Sequence, residues 1–176
     1  MQFTKDTFYI TLRNRLANVN PSRVITLEGA TRPGIVVAEN EAVIPVRPLP
    51  DAFYLEWGAA QPVPQQIGDC AIFSMDCVIS YHTFGTVESG VDRGRALASL
   101  DNDLLNITQP GSAPKADYTQ TPAVNLGSNI VWGAPQLGKV AGSEASRNEE
   151  TPRGTAGIRL ERTATMKVFF FPEINF

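Results

Sequence analysis

A single histidine, two cysteines and three methionines stand among 176 residues. So thin a supply of imidazole and thiolate argues against a structural metal centre, which needs several such ligands close together. Basic charge is also short. Fifteen lysines and arginines meet 18 acids, for a net charge of −3 and a pI near 5.2. Without a basic stripe, sequence-independent binding to nucleic-acid phosphates is not expected. There is no apolar run of the roughly 18 residues that a transmembrane helix needs. The start, M-Q-F-T-K-D-T-F, lacks the basic leader and apolar stretch of a signal peptide, so folding in a cytoplasm is expected. Phosphate-cradling glycine loops are missing as well. G-A-P-Q-L-G and S-G-V-D-R-G have glycines but not the strand–loop–helix context that a nucleotide site requires. No G-x-S-x-G elbow is present.

The few groups capable of chemistry do not converge by spacing. Cys70 and Cys77 are seven apart in G-D-C-A-I-F-S-M-D-C-V, which on a strand means opposite faces and more than about 20 Å, so they cannot bridge there. His82 falls on the mixed face of that strand and reads as structural, with a general-base role as the open alternative. Asp69 and Asp76 point oppositely on a strand, and Asp101 with Asp103 diverge on a helix. A solvated or capping role is expected for all four. No catalytic, cofactor-binding or metal-binding residue is assigned.

What the chain does have is 43% apolar content, enough for a real core, and strong periodicity. From Gly157 the sequence runs G-I-R-L-E-R-T-A-T-M-K-V-F-F-F. Ile158, Leu160, Ala164, Met166, Val168 and Phe170 share one parity; Arg159, Glu161, Thr163, Thr165 and Lys167 share the other. This predicts one strand of about fifteen residues, roughly 50 Å long. Arg162 alone breaks the apolar side, so a bulge or a partner is expected there. Three consecutive phenylalanines cannot all face one core, and Phe169 and Phe171 are expected to meet another element or another subunit. So long a strand suggests a sheet completed by copies or partners.

Upstream, Phe8, Leu12, Leu16 and Val19 predict a helix over Thr7–Val19, capped by Thr4 or Asp6 and stopped at Asn20-Pro21. Short β-rich runs follow at Arg23–Leu27, Gly34–Ala38, Ala42–Val46 and Ala52–Trp57, with G-A-T-R-P-G as a turn cluster. Asp69–Phe84 is a second strong strand, with Phe73, Met75, Cys77, Ile79 and Tyr81 facing the core. Ser89–Ile107 is a second helix, its stripe Leu97, Leu100, Leu104 and Ile107. Residues 108–128 show no period and contain three prolines. Asn129–Val140 reads as a strand broken at Gly133-Ala134-Pro135. Residues 141–156 form a polar excursion carrying Arg147, Glu149 and Glu150, candidate contacts to a neighbour beside Phe169, Phe171 and Arg162. The class is α+β, a mainly antiparallel sheet with two amphipathic helices on one face, in a single domain with long loops at about 45–66, 108–128 and 142–156.

This order of elements resembles the tail terminator, or tail-completion, proteins of tailed bacteriophages. The resemblance rests on the opening helix F-Y-I-T-L-R-N-R-L-A, the strands I-V-V-A and F-Y-L-E-W, the long strand C-A-I-F-S-M-D-C-V-I-S-Y-H, the helix V-D-R-G-R-A-L-A-S-L-D-N-D-L-L and the closing strand I-R-L-E-R-T-A-T-M-K-V-F-F-F. The proline-rich stretch from Pro45 to Pro64 and the long loops depart from that pattern. The resemblance implies a non-enzymatic virion protein of the tail or neck, assembled in the host cytoplasm without cofactor or membrane. It implies a hexameric ring that caps the tail tube protein, meets the head-side connector and lets DNA pass without specific binding. Two alternatives remain at this point. One is a carbohydrate-binding or adhesin-type module presenting Trp57, Trp132 or Tyr54; the other is an enzyme built on His82.

Overall fold

In the computed structural model the closing strand takes the middle of the sheet, not its margin. Residues 1–37, 48–64, 71–85, 90–144 and 158–172 are described; the expected strand Ala42–Val46, Cys70, Asp69, Ser89, Arg147, Glu149 and Glu150 lie outside them. The elements run α1 (Gln2–Val19), β1 (Val24–Leu27), β2 (Ala30–Pro33), β3 (Ile35–Val37), β4 (Phe53–Trp57), β5 (Gln61–Pro62), β6 (Phe73–Thr83), α2 (Gly90–Ile107), β7 (Gly111–Asp117), β8 (Val124–Trp132), β9 (Gln136–Leu137), β10 (Ala141–Glu144) and β11 (Ile158–Phe170).

The large sheet has the order β3-β4-β6-β11-β8-β7, with β9 and β10 also on β11 and β5 on β6. All its pairings are antiparallel except β3 with β4. The fold is α+β, as the periodicities require, with a larger sheet than two helices alone would cover. β11 pairs with β6 from Leu160↔Thr83 to Phe170↔Phe73. Its other edge is taken in turn by β10, β9 and β8. The expectation that this strand needs another chain to complete its sheet is therefore corrected: its backbone pairs on both sides within one molecule. A second copy has no β11 edge to add to.

Strand parity sorts the side chains as the alternation demands. Met75, Cys77, Ile79 and Tyr81 of β6 and Ala164, Met166, Val168 and Phe170 of β11 are buried in one core with Phe53, Leu55, Trp57, Ile130 and Trp132. The helices supply Phe8, Leu12, Leu16, Leu97, Leu100, Leu104 and Ile107 to that same core. α1 lies over β7 and touches α2, which lies over β6 and β11. Phe8 sits edge-on to both Trp57 and Trp132, with centroids 5.5 and 5.4 Å away. On the reverse face Ile25 joins Val36, Ala52 and Tyr54 in a small second cluster.

Several boundaries differ from the sequence reading. α1 starts at Gln2 and has no side-chain cap. Thr4 and Thr7 lie on its buried face, and the Thr7 hydroxyl accepts the Ala116 N–H at 3.1 Å. Val19 is exposed, since the stripe ends one turn earlier at Leu16. The supposed turn cluster is strand β2, paired to β1 across Glu28-Gly29. Both turn residues have positive φ, 49° and 79°, the geometry of a tight two-residue hairpin. Residues 108–128 are not a long loop: they hold β7 and most of β8, a hairpin with a register shift between Pro114 and Ala116. The bulge and the exposure of both hairpin faces erase the alternation that would have announced it. The excursion at 142–156 begins as strand β10, and β4 and β5 occupy part of 45–66.

Candidate functional site

The helices cover one face of the sheet, so the opposite face of β4, β6 and β11 carries the accessible chemistry. Its rows follow from register. Phe169 stands between Ser74 of β6 and Val131 of β8. Lys167 faces Asp76 and pairs with it at 3.2 Å; both are exposed, and such pairs contribute under about 1 kcal/mol. Further along lie Thr165 opposite Val78, Thr163 opposite Ser80 and Glu161 opposite His82.

One end of this face is apolar. Phe170 turns into the core against Phe73, which sends its neighbours the other way. Phe169 is half-buried, while Phe171 and Val131 are 41% and 48% exposed. The chain is fixed there by buried Lys115 of β7, whose Nζ donates to the Phe171 carbonyl at 2.9 Å. From that patch β8 runs outward, and Val124 to Asn129 are exposed apart from half-buried Ser128. The far half of the β7–β8 hairpin thus leaves the core and presents Tyr118, Val124 and Leu126 to solvent. It is held in shape locally: Asp117 accepts the Thr119 N–H at 2.8 Å, and Asn125 accepts the Gly127 N–H at 2.8 Å.

The other end is a pocket of about 330 Å³ with a mixed, more apolar than polar lining, to which Pro48, Tyr54, Tyr81 and Ala141 contribute beside Ser80, His82, Lys139, Arg159, Glu161, Arg162 and Thr163. Arg159 and Glu161 are paired at 2.7 Å. His82 stacks edge-on against Phe84 at 5.6 Å.

Arg162 also borders this pocket, but its guanidinium is committed elsewhere. It points to the helix side, where its Nη1 donates to Asp101 of α2 at 2.6 Å. The Tyr81 hydroxyl donates to the other Asp101 oxygen at 2.6 Å. The break in the apolar parity is therefore a partner, not a bulge, and Arg162 is internal to the subunit. Asp101 and Asp103 correct the solvated reading. Two positions apart on a helix, they diverge, but each finds a built site. Asp103 is buried and accepts from Asn20 Nδ2 at 2.8 Å and Arg23 Nε at 2.5 Å. Burial, and then hydrogen bonding to Asp101, holds the Tyr81 phenol above its usual range. Burial also raises the Cys77 thiol.

Trp57, Trp132 and Tyr54 are all buried, so no exposed aromatic platform forms from them. Among the described residues no cluster of three metal-ligating side chains occurs, and no helix is long and apolar enough to cross a membrane. The pocket and the hairpin patch escaped sequence reasoning because both are made by strand register across segments far apart in the chain. Only the phenylalanine triplet left a local signal. No protein-family model matches the chain, and a search of curated proteins finds no matching relative.

Proposed function

We propose that this chain is a virion structural subunit of the tail-terminator kind. It closes into a ring with copies of itself, caps the tail tube protein and joins it to the head-side connector. The observation that carries the reading is a pair of unlike apolar surfaces at the two ends of β8. Phe171, Val131 and Phe169 lie at one end, and Tyr118, Val124 and Leu126 at the other. Seven residues of strand separate Val124 from Val131, roughly 23 Å. A head-to-tail ring needs two different patches on each subunit, the hairpin of one copy meeting the sheet end of the next. Exposed apolar clusters of this sort commonly mark interaction sites. Because β11 is paired on both edges, the contact runs through the sheet face and the hairpin. The opposite edge strand, β7, is closed to strand addition by Pro114 and by the Ala116 N–H given to Thr7. An acidic chain suits a passage through which DNA slides without being held.

Negative-stain electron microscopy of the purified chain, alone and mixed with tail tube protein, tests the reading. Rings of about six copies, seated on tube ends in the mixture, are expected. A chain that stays monomeric in both samples and never decorates a tube end contradicts it. Trp57, Trp132 and Tyr54 are buried and so offer no exposed aromatic platform to a glycan.

A further inference from the structure

The geometry points to a binding site for a small, hydroxyl-rich organic anion, of the size and class of an acidic monosaccharide, in the mixed pocket on the open face of the sheet. This inference uses none of the surfaces assigned to ring closure. The pocket is built from three adjoining strands. Tyr54 pairs in register with Ser80, and Ser80 with Thr163, which sets three hydroxyl-bearing residues in one row. The next row holds His82, Glu161 and, across the other β11 edge, Ala141. Two of the polar walls are anchored within the fold: Tyr54 and His82 are 7% and 5% exposed, and the Tyr54 oxygen accepts the Leu49 N–H.

The volume of about 330 Å³ sits at the lower end of the range for ligand pockets, the size for one sugar ring. Hydroxyls of serine, threonine and tyrosine both donate and accept, as sugar hydroxyls do. Glu161 adds an acceptor whose position is fixed by Arg159. The balance of charge then selects the ligand's sign. Arg159 is offset by Glu161 and Arg162 by Asp101, whereas exposed Lys139 has no ion-pair partner among the described residues. Among the described lining residues that leaves one cation to meet one carboxylate.

Ligand-observed saturation-transfer NMR on the native chain, with glucuronate and with glucose as the neutral counterpart, tests this. Glucuronate should give the stronger signal, fade as sodium chloride is added, and bind about tenfold or more weakly to K139E. Lys139 is exposed, so that substitution leaves the core untouched. No glucuronate signal up to about 10 mM, an equal glucose signal, or unchanged binding by K139E would overturn the inference. None of these results bears on whether rings form.

Discussion

Arg162 Nη1 donates to Asp101 Oδ2 at 2.6 Å, and that contact ties the central strand of the sheet to the second helix. Tyr81, opposite Arg162 on β6, donates to the same carboxylate. The group that interrupts an apolar strand is thus the group that fixes how α2 sits on it. Removing one member leaves the others in a low-dielectric setting without full compensation.

Replacing Arg162 by leucine should therefore destabilise the fold by about 3 kcal/mol, because Asp101 is left charged beneath the helix. Adding Asp101→Leu to that variant should recover a large part of the loss. Urea denaturation of the two single variants and the double variant measures the coupling. A double variant showing the plain sum of the two losses would mean the pair is not coupled.

Tyr81 gives the fold an alkaline limit. Its folded phenol is held above the ordinary value of 10.0 by burial and by Asp101. A raised folded pKa means the folded state keeps its proton longer than the unfolded chain does. The associated stability is present in full below about pH 10 and is lost as pH rises beyond it. The urea midpoint should fall between about pH 10 and 11.5, and Tyr81→Phe should flatten that fall while lowering stability near pH 7 by about 1 kcal/mol. Identical pH profiles for native chain and variant would remove Tyr81 as the cause.

Cys77 is buried at the centre of β6, and burial raises its thiol pKa. In a Cys70→Ser background it should react with an aromatic disulfide reagent about two orders of magnitude more slowly than in the urea-unfolded chain. Fast labelling of the native protein would show that β6 opens readily.

Phe8 is the hinge of the aromatic core, edge-on to two tryptophans. Phe8→Ala should cost about 4 kcal/mol and shift tryptophan emission to the red as water reaches the cavity. A loss under about 1 kcal/mol would mean α1 repacks freely over the sheet.

The helices, the two long strands and the inner face were legible because one local period wrote each of them: Leu97, Leu100, Leu104 and Ile107 for α2, Met75 to Tyr81 for β6, Ala164 to Phe170 for β11. The β7–β8 hairpin was not. Pro114, the bulge after it and the solvated far half leave no alternation to read. Whether β11 was an edge or a centre was equally hidden, because pairing depends on β8, β9 and β10, whose register no local pattern encodes. Arg162 signalled either a bulge or a partner, and the partner, Asp101, sits sixty-one positions away. The pocket is the extreme case, since Tyr54, His82, Lys139 and Arg159 meet only after three strands and the β9–β10 connection have aligned.

Multi-angle light scattering behind a sizing column tests the central claim most directly, using the native chain and a variant carrying Val131→Asp and Phe171→Asp. Both residues are exposed, so the variant should keep its fold, and its circular dichroism should match. The native chain should elute at several times its 19.1 kDa, near six copies, and the variant at the mass of one. A native chain that runs as a single copy at every concentration, or a variant that stays in the large species, would contradict the account.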